Sequence, residues 1–246
     1  MSAPLLDSKV IWHDVECGGY DADLSTWLEL ATGAGGPLLE LGAGTGRVAR
    51  GLASRGFEVV ALDSEPELVD ELARRAAAAG VEIETVCADA RELELGRDFA
   101  AIIAPMQFIH LLGGERGRAT VLAAARAHLR SRGLLAAALL ADDGAIEGEG
   151  TGLLPDVREL DRWVFSSLPL EVSVDDDGID IHRLRQIVSP GGELSERTAS
   201  IHLDRLTPEA FEREAEAVGF EVRERVEVPP TADHAGSTIC VLEAPQ

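Results

Sequence analysis

The chain shows two alternating patterns of apolar and polar positions between residues 36 and 141. Apolar runs of about five to eight residues, the length of buried strands, alternate with stretches in which apolar residues recur every three or four positions, as on one face of a helix. The predicted strands are 37–41, 57–63, 81–88, 99–104 and 134–140, and the predicted helices are 47–55, 66–79 and 117–130. This order predicts an α/β fold with a doubly wound, mostly parallel sheet.

The pattern changes after Ala141. Residues 142–156 are rich in Gly, Asp and Glu, which is typical of a loop. From there to Leu206 the runs are strand-like and have no helical period; they cover 163–167, 170–174, 179–189 and 194–206, with turns at 175–178 and 190–192. We therefore expect an antiparallel β meander inserted into the α/β fold.

The α/β pattern returns at Thr207, which with Pro208 is a typical helix start. The predicted helix ends at Val218, and two further strands, 220–228 and 237–243, flank a loop that contains two prolines. The chain thus returns to its first pattern after the insert.

Three units follow from these patterns. An amphipathic helix that begins near Asp23 and ends in the glycine turn 33–36 makes residues 1–35 an N-terminal helical cap. Residues 36–141 and 207–246 are predicted to form the α/β core. Residues 142–206 are predicted to form a loop and a β-rich insert.

The composition disfavours several classes of binding partner and of chemistry. A chain of 246 residues suits one large domain or a core domain with an insertion. It has 22 Lys and Arg against 44 Asp and Glu, a formal net charge of −22, which disfavours nucleic acid and anionic membrane surfaces as partners. Lys9 is the only lysine, which argues against Schiff-base and P-loop chemistry.

The cysteines and histidines suggest neither disulfides nor a metal. Cys17, Cys87 and Cys240 are scattered and form no paired framework, and no His or Cys has metal-ligand spacing. We recognise no signal peptide and no long apolar run, so we expect a reducing, cytoplasmic location.

The clearest chemical motif is the glycine turn at 42–46, which follows Glu40 on the first predicted strand. Glycine lets a ligand approach the backbone closely, although a tight strand–helix connection would also use it. The dinucleotide fingerprint requires its third glycine at the position of Arg47, and an acid beside a diphosphate is unfavourable. The turn therefore favours a cofactor without phosphates and with a cationic end.

Two acids end the next predicted strands at the same edge of the sheet. Asp63 lies where a carboxylate can accept hydrogen bonds from both hydroxyls of a ribose, and it could also cap the following helix through the turn at Ser64. Asp89 can accept from an amino-substituted purine while Ala90 offers its N–H, although a surface acid in a loop is the alternative.

Together these residues resemble class I S-adenosylmethionine-dependent methyltransferases. The motifs are Glu40 to Gly46, the strand-two Asp63, the turn 88–90 and the strand-four end 104–107, and the resemblance covers about 36–141 and 207–245. It implies a seven-stranded sheet whose last strand is antiparallel. It also implies S-adenosylmethionine as the cofactor and S-adenosylhomocysteine as its product.

By the same resemblance, each motif has an expected part in the donor site. Gly42, Ala43, Gly44 and Gly46 would pass under the methionine and ribose, with Glu40 before them. Asp63, with Ser64 beside it, would hold the ribose, and Asp89 with Ala90 would hold the adenine. Ala104 and the residues up to Gln107 would border the methyl-transfer site.

The segment 160–206 resembles the lid of small-molecule methyltransferases, and a dimerisation sheet that makes a homodimer is an equal alternative. The strand-four end is Ala104-Pro105-Met106-Gln107, whereas nucleic-acid methyltransferases often have Asn/Asp-Pro-Pro-Tyr/Phe there. A nucleic-acid substrate is therefore disfavoured on this ground too.

Candidates for acid–base work are few. His110 follows the strand-four end and is the best candidate for a base, although a structural histidine is an equal alternative; His182 and His202 in the insert face the acceptor or the solvent. Tyr20 and Trp12 are expected to close over the donor or to pin the terminus to the core.

Arg47 is expected to form an ion pair either with a carboxylate of the ligand or with an acid on the protein surface. No Gly-x-Ser-x-Gly motif supports a serine hydrolase.

The sequence therefore predicts a metal-independent enzyme that transfers a methyl group to N or O of a small molecule. One alternative is a protein of the same fold that binds S-adenosylmethionine without methyl transfer, as a sensor, a structural partner or an enzyme of other sulfonium chemistry. A protein methyltransferase with an open groove is another alternative.

Overall fold

Strands and helices alternate through the first half of the protein, and strands dominate the second half. The computed structural model describes residues 8–140, 148–149, 154–176, 178–231 and 235–246. Its strands are β1 Leu38–Leu41, β2 Val59–Asp63, β3 Glu84–Cys87, β4 Phe99–Ala104, β5 Leu129–Leu140, β6 Gly148–Glu149, β7 Asp156–Leu160, β8 Trp163–Val174, β9 Gly178–Val188, β10 Leu194–Asp204, β11 Glu221–Val228 and β12 Ser237–Glu243. Its α-helices are α1 Lys9–Glu16, α2 Leu24–Ala34, α3 Arg47–Ala53, α4 Pro66–Ala79, α5 Gly114–Ala127 and α6 Pro208–Ala217.

Seven of the strands form one sheet in the order β11-β12-β5-β4-β1-β2-β3. β1 pairs in parallel with β2 and β4, and β4 pairs in parallel with β5. β12 is antiparallel to both of its neighbours, β5 and β11. The predicted doubly wound, mostly parallel α/β sheet of seven strands is confirmed.

Helices cover both faces of this sheet, and an apolar layer lies between the sheet and the helices on each face. The β4 sequence, Phe-Ala-Ala-Ile-Ile-Ala, is apolar throughout and all six of its residues are buried, as expected for a strand covered on both faces. On one face α5 and α6 contribute Leu122 and Phe211 to the core. On the other face α2 and α3 contribute Trp27 and Leu52.

The inserted strands form a separate antiparallel sheet in the order β10-β9-β8-β6, with β7 also paired to β8. The predicted antiparallel meander is present, but two predicted runs are one strand. β8 continues through Pro169, where its pairing with β9 shifts register. β7, which begins at Asp156, was not predicted. Most of the predicted loop 142–156, Ala141, Asp177 of the predicted turn and residues 232–234 of the proline-containing loop lie outside the described residues.

Helix α1 was also not predicted, and it joins the insert to the core. Ser8 caps it by accepting a hydrogen bond from the Ile11 N–H. Trp12 is buried edge-to-face against Phe165 of β8, with ring centroids 6.0 Å apart. Because a single helix of eight residues is marginal on its own, this packing stabilises it.

β5 is longer than predicted because its pairing starts before its apolar run. Leu129 pairs with Phe99, and after a register shift Leu134 pairs with Ala101. The residues between them include Arg132 in the left-handed region at φ 62°. Accordingly helix α5 ends at Ala127 rather than at residue 130. No helix in the described ranges is long and apolar enough to cross a membrane.

Candidate active site

The strand order reverses between β1 and β4, and open α/β sheets bind their ligands at the carboxyl ends of the strands at such a point. The predicted donor-site residues lie there. Ala43 N–H donates to Leu62 O at 3.0 Å, and Ala88 N–H donates to Asp63 O at 3.0 Å, so the ends of β1, β2 and β3 are tied together.

The glycine turn adopts left-handed backbone angles at each of its three glycines: φ is 66° at Gly42, 55° at Gly44 and 82° at Gly46. These angles require glycine, and side chains would also collide with neighbours. A methyl group on Gly42 would meet the Phe108 ring, and one on Gly44 would meet the His13 imidazole. The turn is therefore bordered by aromatic rings from two other segments.

Gly46 differs from the other two glycines. A methyl group here would lie 2.7 Å from Leu72 Cγ of α4, so the residue allows close helix packing inside the protein. The structure thus gives Gly46 a packing role, and its predicted contact with the donor has no support from this geometry.

Asp63 clamps the turn to the start of the next helix. Its Oδ2 accepts the Gly44 N–H at 2.8 Å and its Oδ1 accepts the Glu65 N–H at 2.9 Å. Glu65 is the N-cap residue of α4, so Asp63 fixes the turn before this helix, and its predicted capping of the helix stays a prediction. Each carboxylate oxygen can accept a second hydrogen bond, which leaves room for the predicted ribose hydroxyls. Ser64 is exposed beside it.

Asp89 is half-buried and begins the 3₁₀ turn Ala90–Glu92, where its Oδ1 accepts the Arg91 N–H at 2.9 Å. The Arg91 guanidinium also bonds the carboxylate, and this pair lowers the pKa of Asp89. Ala90 is buried beside it. An adenine amine would have to share this carboxylate with Arg91, so the adenine contact stays a prediction.

Glu40 is a buried acid in the centre of the sheet. It is 2 % exposed, and among the described residues its Oε2 has no hydrogen-bond partner. Burial raises the pKa of Glu40 to about 8, while Arg47 and the Ala49 N–H act in the opposite direction. The carboxyl is thus poised between its neutral and charged forms at neutral pH.

Arg47 was predicted to pair either with a ligand carboxylate or with a surface acid. It does form an ion pair with an acid, but that acid is buried. Its guanidinium bonds both oxygens of Asp23, at 2.5 and 2.7 Å, and Asp23 also accepts the Trp27 indole N–H at 2.7 Å. Arg47 donates to the Tyr20 carbonyl and lies over its ring, 5.1 Å from the centroid. This network fixes the N-terminal segment against the glycine turn.

Tyr20 lines a small cavity of about 70 Å³ at the carboxyl end of β4. Met106 and Gln107 line it from the other side, and Leu140 from β5. Met106 has φ 56°, a left-handed conformation that a non-glycine residue adopts only when its surroundings impose it. Ala104, just before it, is fully buried. The predicted methyl-transfer border therefore lies next to an open space.

His110 lies between this edge and the insert, with both ring nitrogens in hydrogen bonds to the backbone. Its Nε2 accepts the Leu140 N–H at 3.2 Å, which places the proton on Nδ1, 2.8 Å from Asp204 O. Burial lowers the pKa of His110, so it is neutral at pH 7. These contacts favour the structural alternative, and the role of a base stays a prediction.

A larger cavity of about 400 Å³ lies beside His110 on the side of α6. Ile179 of the insert forms one wall, and Glu227, Thr238 and Arg225 of the last two strands form another. Its volume is within the range of small-molecule pockets. Because Leu140 lines both cavities, the larger one adjoins the methyl-transfer border.

The other predicted aromatic and histidine residues lie elsewhere. Trp12 is buried against the insert, which supports its role in pinning the terminus. His182 and His202 are exposed and bond Ser200 and Asp180, as solvent-facing strand positions do. Sequence reasoning missed His13, which lies on the glycine turn, because no local motif signals a contact between distant segments. No group of three or more His, Cys, Asp or Glu in the described part of the chain is arranged to hold a metal ion.

Residues 38–133 match a family model described as a methyltransferase domain. The protein contains a methyltransferase domain. The match spans β1 to β4 and the first residues of β5, so it includes β1, β2 and β3, whose carboxyl ends carry the glycine turn and the two acids. The predicted family resemblance and the predicted enzyme class, a methyltransferase, are confirmed. No curated protein sequence matches the chain.

Solved structures share the fold of this methyltransferase over nearly its whole length. DesVI from Streptomyces venezuelae is 16% identical, with a TM-score of 0.78 and coverage of 100% of both chains. CalS10, an amino pentose methyltransferase from Micromonospora echinaspora, is 18% identical, with a TM-score of 0.76 and coverage of 96% of this chain and 97% of that chain. KedS8, a sugar N-methyltransferase from Streptoalloteichus, is 16% identical, with a TM-score of 0.78 and coverage of 96% and 92%. At these identities the likeness shows the fold.

Proposed function

We propose that the protein transfers the methyl group of S-adenosylmethionine to an amino nitrogen of a small, sugar-like molecule. The observation that carries the proposal is the glycine turn held by Asp63 at the switch point of a methyltransferase domain. A cavity beside His110, walled on one side by Ile179 of the insert, offers room for an acceptor. The fold-related amino pentose and sugar N-methyltransferases favour nitrogen over oxygen as the acceptor atom.

The residues at the turn fit the donor. The Phe108 ring and the His13 imidazole lie against Gly42 and Gly44, and Asp63 keeps free acceptor capacity for ribose hydroxyls. Glu40 Oε2 is a buried acceptor that lacks a partner among the described residues, directly before the turn. A buried acid of this kind suits a ligand with cationic groups and opposes a diphosphate.

When bound, S-adenosylmethionine supplies a methyl group that is electrophilic because it is attached to a sulfonium. The protein has to hold donor and acceptor in line and to keep water away. Binding energy then offsets the entropy lost when the two molecules are oriented. Asp63 and the turn would fix the nucleoside end. Tyr20 and Met106 border the cavity at the end of β4 and would limit the directions from which an acceptor can approach.

Two glutamates and two arginines line the larger cavity, and because Arg225 pairs with Glu209 and Glu212, Glu227 is the carboxylate left for an amine. Glu227 lies on the cavity wall and accepts a hydrogen bond from the Thr238 hydroxyl, at 2.9 Å to one oxygen, so its carboxylate is held in place. A carboxylate there attracts a protonated amine from solution, and the amine must lose its proton before it can attack the methyl group. The net charge of −22 favours such cationic substrates in the same way.

The alternatives gain no support. A protein methyltransferase needs an open groove, whereas the cavity here is bounded by Ile179 of the insert and by the core. Binding of the donor without methyl transfer would leave a cavity of about 400 Å³ beside the methyl-transfer border without a function. The cytoplasmic location, the absence of nucleic-acid and membrane partners and a homodimer through the inserted strands stay predictions.

The test is turnover of S-adenosylmethionine to S-adenosylhomocysteine with paired acceptors: amino sugars, and the same sugars with a hydroxyl in place of the amine. We expect product only with the amines. Product with the hydroxyl sugars alone would move the acceptor atom to oxygen, and binding of S-adenosylmethionine with no turnover across a broad panel would favour the protein without methyl transfer. Glu227→Gln should raise KM for the amines with little change in the donor affinity.

A further inference from the structure

The imidazole of His13 lies on the backbone of the glycine turn, although it belongs to helix α1. A methyl group on Gly44 would collide first with His13 Nε2, so the ring edge that carries this nitrogen faces the turn. Gly44 N–H donates to Asp63 Oδ2 at 2.8 Å. His13 is therefore at the surface over which the methyl donor has to lie.

The neighbours of His13 determine which nitrogen carries its proton. The Thr45 hydroxyl donates its only proton to Asp14 Oδ1 at 2.9 Å, and a carboxylate has no proton to return. Thr45 can then serve His13 Nδ1, 3.4 Å away, only as an acceptor. The contact is favourable only when Nδ1 carries the proton.

The rest of the chain keeps this arrangement in place. Arg75 bonds both oxygens of Asp14, at 2.8 and 2.5 Å. These bonds lower the pKa of Asp14 although burial opposes them, so Asp14 stays a carboxylate. Burial lowers the pKa of His13 as well, so the imidazole is neutral at pH 7. Nε2 is then an unprotonated acceptor directed at Gly44.

We propose that His13 Nε2 binds the methyl donor by accepting a hydrogen bond from one of its N–H or O–H groups. The inference rests on the proposed use of S-adenosylmethionine. The bond can come from the α-ammonium of the amino acid or from a ribose hydroxyl, since both are donors and both belong above the turn. Asp63, which accepts the Gly44 N–H, can only accept as well, so the two residues select for the same donor-rich ligand.

The test measures affinity by calorimetry with two ligands, S-adenosylhomocysteine and 5′-methylthioadenosine, which keeps the ribose and lacks the amino acid. The variants are His13→Leu, which removes the acceptor at similar volume, and His13→Gln, whose amide oxygen can replace Nε2. His182→Leu, at an exposed strand position, is the matched control. Thermal unfolding without ligand checks that each variant is folded.

We expect His13→Leu to weaken S-adenosylhomocysteine binding about tenfold, the effect of one lost hydrogen bond to a charged or polar group, and His13→Gln to restore most of it. Unchanged 5′-methylthioadenosine affinity in His13→Leu would assign the bond to the ammonium, and an equal loss would assign it to the ribose. Equal weakening by Leu and Gln, or no weakening by Leu, overturns the proposal.

A second variant keeps the inference testable if His13→Leu does not fold. Thr45→Val removes the hydroxyl that fixes the His13 proton, so it should weaken binding in the presence of His13 and have no further effect with His13→Gln. Additive losses in the double variant contradict the proposal. Failure of the unchanged protein to bind S-adenosylhomocysteine would instead refute the proposed function.

Discussion

The Asp63 carboxylate accepts the Gly44 N–H through Oδ2 at 2.8 Å and the Glu65 N–H through Oδ1 at 2.9 Å. One side chain therefore connects the glycine turn after β1 with the start of helix α4 after β2. The residue that sequence reasoning assigned to ligand binding is also part of the frame that shapes the turn. Its substitution must therefore change both ligand affinity and stability.

Asp63→Ala should weaken S-adenosylhomocysteine binding at least tenfold and lower the free energy of unfolding by about 1–3 kcal/mol, because two backbone N–H groups lose a charged acceptor. Asp63→Asn should keep one of these bonds and show smaller losses. Calorimetry and urea unfolding measure the two effects. Asp70→Ala, at an exposed acid of α4, is the control and should change neither quantity. Full donor affinity in Asp63→Ala would leave the residue with the structural role alone.

The strands that were predicted most accurately are those that a local run of apolar residues marks in the sequence. β4 and β12 have the predicted bounds, Phe99–Ala104 and Ser237–Glu243, because each contains a continuous apolar run that a proline follows, at Pro105 and Pro245. Helix α4 likewise has its predicted bounds, with Pro66 at its start and Gly80 in the left-handed region after its end.

What could not be predicted depends on contacts between distant segments. Helix α1 exists because Trp12 packs on Phe165, more than a hundred residues later, and no local pattern reports that contact. For the same reason the sequence identified Gly44 but not the His13 ring above it. His110 was identified as a candidate base by its position, whereas its two backbone hydrogen bonds are visible only in the folded chain.

Glu40→Gln should make stability less dependent on pH. Burial raises the pKa of Glu40 in the folded protein to about 8, above its ordinary value of about 4.5, so the unfolded chain releases this proton first. The folded state therefore loses stability as pH rises from about 4.5 to about 8. The glutamine variant lacks this loss, so it should be more stable than the unchanged protein by about 1 kcal/mol or more at pH 9 and similar to it at pH 5.

Urea unfolding of both proteins at pH 5, 7 and 9 without ligand measures this difference. Glu58→Gln, at a largely exposed glutamate, is the control and should follow the unchanged protein at each pH. A stability difference that does not grow between pH 5 and pH 9 would contradict a buried, titrating Glu40.

His110→Phe should destabilise the protein by about 2 kcal/mol or more, because the Leu140 N–H and the Asp204 carbonyl lose their partner in a buried place. If His110 has only this structural role and is not a base, a folded His110→Gln variant should show the same dependence of kcat/KM on pH as the unchanged protein. A fall in kcat of a hundredfold or more, with the pH dependence lost and stability kept, would restore the predicted role of His110 as a base.

The insert is tied to the core by Arg118, which is 5 % exposed and lies on α5. Its guanidinium bonds Asp204 at the end of β10 at 2.9 Å and Glu214 of α6 at 2.8 and 2.7 Å. Arg118→Met would leave two largely buried carboxylates without their cation, which costs about 3–5 kcal/mol in comparable pairs.

Restoring neutrality separates this charge effect from lost packing. The triple variant Arg118→Met, Asp204→Asn, Glu214→Gln should recover most of the stability that Arg118→Met loses, because no buried charge remains unpaired. Urea unfolding gives the stabilities, and amide hydrogen exchange of β9 and β10 reports whether the insert separates before the core unfolds. Arg116→Met, at an exposed arginine of the same helix, should be neutral in both measurements. If Arg118→Met accelerates hydrogen exchange of β9 and β10 no more than Arg116→Met does, the insert is held by its packing on α1, where Trp12 meets Phe165.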